Sequence, residues 1–276
     1  MNTERSLFPL KALLLLGPTG SGKSPLGAEL ERRGLRRCVC CHFDFGEQLR
    51  CLAGGKISSS SFSREELTIV RKALEGGLLL ENEQFPIAEK LLSSFLTRSY
   101  HQSRREPLEV VSQTEFAEEN PRTACTRRSD EGERGKHRLA GTMETYSRDA
   151  GEKIGLSPKI LNNVEKWIVV MNGLPRHVGQ ALDVASWVDI RRVVHLQCDA
   201  KTAFARIGGD PGGDREQRND DQWKAIQRRV ARFERRTKPL LSFYRDQGAR
   251  IDAIEVTASM TPDEAYEAIL KLWKAT

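Results

Sequence analysis

Five consecutive apolar residues, Ala12-Leu13-Leu14-Leu15-Leu16, run without a break into Gly17-Pro18-Thr19-Gly20-Ser21-Gly22-Lys23-Ser24. The octad satisfies the pattern G-x-x-x-x-G-K-[ST] at every required place, and the residues from Lys23 to about Arg33 read as a helix. A strand that ends in such a turn and continues as a helix has few folds open to it. The glycines let successive backbone N–H groups point inward at phosphate oxygens, and the helix N-terminus adds partial positive charge. Gly17, Gly20, Ser21, Gly22, Lys23 and Ser24 are therefore the expected ATP-binding residues. Lys23 is expected to reach the β- and γ-phosphates and Ser24 to hold Mg2+. Pro25 has no N–H to donate, which predicts a slightly poorer phosphate nest in a first turn that tolerates proline.

The rest of the chain alternates in the same manner. A second apolar segment covers Cys38 to Phe45. Leu67, Val70 and Leu74, then Ile87, Leu91, Leu92 and Phe95, recur at three- and four-residue steps and predict helices, the second opened by Pro86. Trp167 to Met171 is a continuous apolar run suited to a strand buried on both faces, and Val193 to Cys198 reads as another. Asp221 to Arg236 predicts a helix with Ile226, Val230 and Phe233 on one face. Arg250 to Val256 predicts a last strand. Thr261-Pro262-Asp263-Glu264 then forms a capping box that opens a helix to about Trp273. Strand and helix alternating in this way imply an α/β fold, a parallel sheet of about five strands covered on both faces.

Between residues 101 and 163 the texture changes to charged and small polar residues without apolar period, which predicts a mobile insertion between core segments 1–100 and 164–276. The apolar stretch before the glycine turn is far short of a membrane span and lacks a signal-peptide cleavage site, so no membrane and no export are expected. The six cysteines, at 38, 40, 41, 51, 125 and 198, show no C-x-x-C pair and suit free thiols in a reducing cytoplasm. Cys38, Cys40, Cys41 and His42 alternate along one strand and so are not expected to converge on a metal. A net charge of +6, from 44 Lys+Arg against 38 Asp+Glu, fits an anionic ligand. Nucleic acid is not the expected partner, because the basic residues of the insertion are matched by acidic ones.

A second constellation narrows the class. Asn172-Gly173-Leu174-Pro175-Arg176 follows the strand ending at Met171, with Gln180 four residues past the arginine. Arg206, then Arg218-Asn219-Asp220-Asp221, then Arg229 follow. Here the chain resembles the adenylate kinase family of nucleoside monophosphate kinases, in its short-lid form, over roughly residues 10–98 and 166–274. That family carries a D-G-[FY]-P-R…Q element after its third strand, an R-x-D-D element after its lid, and an arginine on the following helix. The resemblance implies a P-loop three-layer α/β/α fold with a small helical acceptor-binding region at about 44–98 and a lid at about 206–219. It implies a monomeric cytoplasmic transferase that moves a phosphoryl group from ATP·Mg2+ to AMP. In that scheme Arg50 and Arg176 hold the acceptor phosphate and Gln180 reads the acceptor base. Lys23, Arg176, Arg206, Arg218 and Arg229 clamp the transferred group, and Asp220 and Asp221 orient the lid. The chemistry needs no general base, only positioned cations and Mg2+.

The departures are specific. Asn172 stands where the family has an aspartate that holds water around Mg2+, which predicts weaker metal binding with the amide in an outer role. Phe43-Asp44-Phe45-Gly46-Glu47-Gln48-Leu49-Arg50 resembles the family's S-T-G-D-x-L-R, with Phe45 in place of a hydroxyl that contacts the acceptor base. Asp210 stands near the place of another lid arginine, for which Arg215 is a substitute. Two alternatives stay open: a kinase of the same fold for another acceptor, such as UMP, CMP or a non-nucleotide, and a catalytically weak nucleotide-binding regulatory protein.

Overall fold

The computed structural model describes residues 9–36, 38–76, 80, 82–103, 167–209, 211 and 223–274. The apolar run that opens the sequence becomes β1, Leu10–Leu16, at the centre of a five-stranded sheet. It is flanked by β3 (Trp167–Asn172) and β4 (Val188–Gln197), with β2 (Val39–Asp44) outside β3 and β5 (Arg250–Glu255) outside β4. All four pairings are parallel. A central parallel strand has side chains buried on both faces, which is why Ala12 to Leu16 carries no polar residue.

Alternate residues of β1 feed two cores. Leu13 and Leu15 pack with Leu26 and Leu30 of α1 (Lys23–Arg33) and with Tyr266 and Ile269 of the C-terminal helix, Pro262–Lys274. Leu14 and Leu16 lie in a larger cluster on the opposite face. That cluster takes in Leu49 of α2 (Phe45–Ala53), Val70 of α3 (Arg64–Glu75) and Leu91 of α4 (Phe85–Ser103). Val184 of α5 (Val178–Val184) closes it. Helices on both faces of the sheet make three layers.

The remaining helices follow in order: α6, Ala200–Gly209; α7, Trp223–Arg232, continued by a π-helical turn at Phe233–Thr237; α8, Leu240–Asp246; and the C-terminal α9, Pro262–Lys274. Capping boxes fix two helix starts, the expected one at Thr261 and one at Ser63 that the sequence reading did not name. Ser63 and Glu66 exchange side-chain and backbone bonds at α3, and Thr261 and Glu264 do so at α9. No helix among the described residues is long and apolar enough to cross a membrane.

Several expected boundaries move. The apolar segment expected to end at Phe45 divides there, because Asp44 caps α2 and Phe45 is its first residue. The strand expected from Val193 begins five residues earlier, at Val188. Helix α4 continues through Ser103, so the first residues assigned to the insertion belong to the core. The rest of the insertion lies outside the described residues, as do Arg218, Asp220, Asp221, Asp210 and Arg215. The expected lid start at 206 falls inside α6, which runs to Gly209.

Candidate functional site

The carboxyl ends of β1, β2, β3 and β4 lie along one edge of the sheet, and the chain order reverses on either side of β1. In an open α/β sheet that edge, at the switch point, is where ligands bind. The sequence places Gly17, Asp44, Asn172 and Cys198 there.

The 17–24 loop is shaped by its glycines. Gly20 and Gly22 have φ of 79° and 84°, which side-chain-bearing residues rarely adopt. Gly17 is required for a different reason: a Cβ there would stand 2.6 Å from Ser21 Oγ and 2.8 Å from the carbonyl oxygen of Leu196. Lys23 curls over the loop, and its Nζ donates to the carbonyls of Gly17 at 2.8 Å and Pro18 at 2.7 Å. Ser21 is buried and its hydroxyl donates to Pro18 O at 2.8 Å.

Ser24, one turn into the site, meets two side chains from neighbouring strands. Its hydroxyl donates to Asp44 Oδ2. Asn172 Nδ2 donates to the same carboxylate oxygen at 2.8 Å and to Ser24 Oγ at 3.1 Å. Asp44 and Asn172 are register partners across the parallel β2–β3 pair, so the contact follows directly from the strand alignment. The other oxygen of Asp44 caps α2, accepting from the backbone N–H of Glu47 at 3.0 Å. Burial pushes the Asp44 carboxyl up, but the Ser24 and Glu47 hydrogen bonds and the charges of His42 and Arg50 outweigh it. The group lies below the usual carboxylate range. Asp44 carried no role in the sequence reading; only strand register sets it beside Asn172 and against Ser24.

The opposite side of the strand-end edge carries arginines. The backbone leaves β3 through Gly173, with φ of 78°, and a cis Leu174–Pro175 bond. Arg176 then folds back so that its Nε donates to Gly173 O at 2.8 Å and its guanidinium lies 5.8 Å from the centre of the Phe45 ring. Among the described residues no carboxylate is in salt-bridge contact with it. Burial, together with the nearby charges of Arg232 and Arg229, lowers its pKa to about 10, against an opposing pull from Asp44. It remains a cation at neutral pH. Arg229 and Arg232 thus lie near enough for their charges to act on Arg176, and Arg232 is one that the sequence motifs did not single out. Arg50 is on α2, half-exposed, and pairs with Glu47 at 2.7 Å.

Two expected roles change. Gln180 is 1% exposed and both ends of its amide serve the backbone: Oε1 accepts from Arg176 N–H at 2.9 Å and Nε2 donates to Leu80 O at 3.2 Å. It holds the turn that carries Arg176 and is closed off from solvent. Arg206 is likewise buried, at 6% exposure. Its guanidinium donates to Gly20 O at 3.0 Å, Thr257 O at 2.8 Å and Met260 O at 2.7 Å, bracing the glycine loop from behind. Phe45, 1% exposed, stacks on Phe43 and belongs to the core.

The donor set around Ser24 suits one metal class. The Ser24 hydroxyl and the Asp44 carboxylate oxygen are hard ligands, with the Asn172 amide nitrogen serving them as a hydrogen-bond donor, and Mg2+ ordinarily takes only one or two carboxylates and completes its shell with water and phosphate oxygens. Among the described residues no cluster of three or more His, Cys, Asp or Glu side chains forms a self-sufficient metal site. The residues fit a nucleotide-borne Mg2+. No known protein-family model matches the chain.

Proposed function

We propose that the protein is an ATP-dependent nucleoside monophosphate kinase of the adenylate kinase type, transferring the γ-phosphoryl group of ATP·Mg2+ to AMP. The observation that carries this reading is the 17–24 loop at the end of the central strand, with Lys23 and the Ser24–Asp44–Asn172 contact on one side and Arg176, Arg229 and Arg232 on the other. Such a site can receive phosphates from both directions. An oxygen of the AMP phosphate attacks the γ-phosphorus, the bond from that phosphorus to the β–γ bridging oxygen breaks, and two ADP molecules result. No proton needs to leave the attacking oxygen.

In this reading Lys23 exchanges its carbonyl contacts for phosphate oxygens, and the backbone N–H groups of Gly20, Gly22 and their neighbours cradle them. Ser24 and Asp44 would hold Mg2+, which offsets phosphate charge and orients the γ-group. Arg176 and Arg50 hold the acceptor phosphate, because a guanidinium fork binds phosphate bidentately and stays charged. Arg206 acts through the loop it braces. The free thiols of Cys38, Cys40, Cys41, Cys51 and Cys198 suit the reducing cytoplasm.

A second reading keeps the chemistry and changes the acceptor. Gln180 is committed to the backbone and Phe45 to the core, so neither family contact with an acceptor base is on offer. That favours another nucleotide or a non-nucleotide phosphate acceptor. The test is to incubate the purified protein with ATP, Mg2+ and each of AMP, CMP, UMP and GMP and to follow diphosphate formation. Turnover with AMP that is lost in Lys23→Ala supports the first reading, and turnover only with another acceptor supports the second. ATP binding without transfer to any acceptor overturns both and leaves a nucleotide-binding regulatory protein.

A further inference from the structure

The amino ends of the strands, about 20 Å along β1 from the glycine loop at the rise of an extended chain, carry a second concentration of positive charge. A cavity of about 440 Å³ lies there, lined by Lys11 of β1, Arg191 and Arg192 of β4, Arg250 of β5, Arg36 beyond α1 and Trp273 of α9. Its volume falls in the range of small-molecule sites, roughly 300–1,000 Å³. Leu13 and Ile168 give it an apolar wall. Two successive arginines line it because β4 bulges: Ala12 pairs with Ile190 and Leu13 with Arg192, so Arg191 is the extra residue. In a regular strand such neighbours point to opposite faces, and a bulge re-aims a side chain.

We propose that this cavity is a second anion site, built for a phosphate-bearing small molecule and separate from the glycine loop. The charge balance supports it. Five cations line the cavity, and among the described residues two carboxylates meet them. Asp189 pairs with Arg191, and the buried Asp252 is shared by Arg192 and Arg250. Arg36 donates to the Trp273 carbonyl and meets no described carboxylate. Lys11 is exposed and makes no hydrogen bond or ion pair to a described residue. Arg192 and Arg250 each spend Nε on Asp252 and Nη2 on Leu272 O, and a guanidinium has five N–H donors, so both keep donors for a ligand. Guanidinium forks bind phosphate oxygens bidentately, and a lysine adds a compact point charge. The indole of Trp273 with Leu13 and Ile168 offers apolar surface to the rest of the ligand. A nucleotide and a bare phosphate chain share the chemistry that this site recognises.

The test is read at Trp273 itself. The chain has four tryptophans, so the full-length protein is labelled with 5-fluorotryptophan and Trp273→Phe identifies the fluorine resonance that belongs to the cavity. Without metal, the protein is titrated with pyrophosphate, with AMP and with adenosine. Pyrophosphate or AMP is expected to move the Trp273 resonance to saturation, and adenosine is not. A response to pyrophosphate supports a site for a phosphate chain, and a response to AMP alone supports a site for a nucleotide. Lys11→Gln/Arg191→Gln is expected to weaken that binding by about tenfold or more, the scale of a lost charge-assisted hydrogen bond. Both side chains are exposed, so the variant should melt like wild type, and Lys11→Glu serves as a second variant. The shift should persist in Lys23→Ala, which impairs the glycine loop, so the outcome does not depend on the kinase reading. A Trp273 resonance that neither phosphate compound moves, or that adenosine moves as well as AMP does, overturns the proposal. So does an affinity unchanged in both Lys11 variants, or a shift that disappears in Lys23→Ala.

Discussion

Two arginines, one on β4 and one in the turn that follows β3, meet different fates. Low on the sheet, beside the start of β5, Arg192 is buried and its Nε donates to the buried carboxylate of Asp252. Its Nη2 reaches Leu272 O at 3.0 Å and its guanidinium lies 3.8 Å from the centre of the Trp273 ring. Arg250 shares the same carboxylate at 3.0 Å and the same carbonyl at 3.1 Å. Here the charge is largely answered within the fold: one buried carboxylate, the carbonyl of Leu272 and an indole face serve the two guanidiniums. At the mouth, Arg176 has a backbone carbonyl and the Phe45 ring, other arginines close by, and among the described residues no carboxylate in contact. A cation held in this way gains most from an anion that arrives from solvent. Charge completed within the fold contributes stability, whereas charge left open at a strand end indicates a ligand.

Breaking the completed cluster gives the largest effect. Asp252→Ala strands Arg192 and Arg250, and removing one partner of a buried pair costs about 3–5 kcal/mol. Urea unfolding should show that loss, while on the proposed reading nucleotide binding is retained at temperatures where the variant is folded. Arg176→Met does the reverse. On the proposed reading it lowers transfer to the acceptor by about 10²- to 10³-fold, the scale of a lost transition-state clamp, with an unfolding midpoint unchanged or raised. Steady-state rates and melting curves on both variants decide the matter. If Arg176→Met destabilises like Asp252→Ala and spares turnover, the two arginines are the same kind of residue and the comparison fails.

A smaller effect locates the boundary between scaffold and site. Gly27, mid-way along α1, packs directly against His42 of β2: a Cβ there would fall 2.1 Å from His42 Nε2. Gly27→Ala is therefore expected to cost about 1–3 kcal/mol by overpacking, despite the gain in helix propensity. Adding His42→Ala should recover part of the loss, because the two side chains compete for one space. Thermal melts of the two single variants and the double variant measure the coupling.

Most of the scaffold was legible because periodic apolar patterns report burial directly. Ala12 to Leu16 and Trp167 to Met171 read as strands buried on both faces, and Thr261 announced a helix start by its capping chemistry. Helices α2, α5, α6 and α8 were not singled out. Three of these four are seven to nine residues long, too short for a period to show, and α2 begins inside what reads as a strand. The glycine loop was legible because its function depends on backbone shape, which glycine spacing encodes. The side-chain half was not. Gln180 and Arg206 match motif positions, yet their partners are carbonyls at residues 80, 20, 257 and 260, far away in sequence. Asp44 was hidden for the opposite reason: its meaning depends on Asn172, 128 residues away, and only strand register joins them.

The smallest expected effect is acid sensitivity beside the mouth. His195, register partner of Leu16 on β4, is buried and stacked on Phe233 with ring centres 6.0 Å apart. Burial and the charge of Lys238 lower its pKa from 6.5, with Glu234 opposing. The unfolded chain therefore binds a proton more readily than the folded one, so stability is full above the unfolded value of 6.5 and falls as pH drops below it. His195→Gln removes the titration while keeping a polar side chain of similar reach. Unfolding midpoints at pH 7.5 and 5.5 should differ more in wild type than in the variant. The same pH change should leave the cost of Asp252→Ala unaltered, since that pair owes nothing to an imidazole. Equal pH losses in wild type and His195→Gln would mean that the acid response originates elsewhere, with His42 the next group to vary because burial lowers its pKa as well.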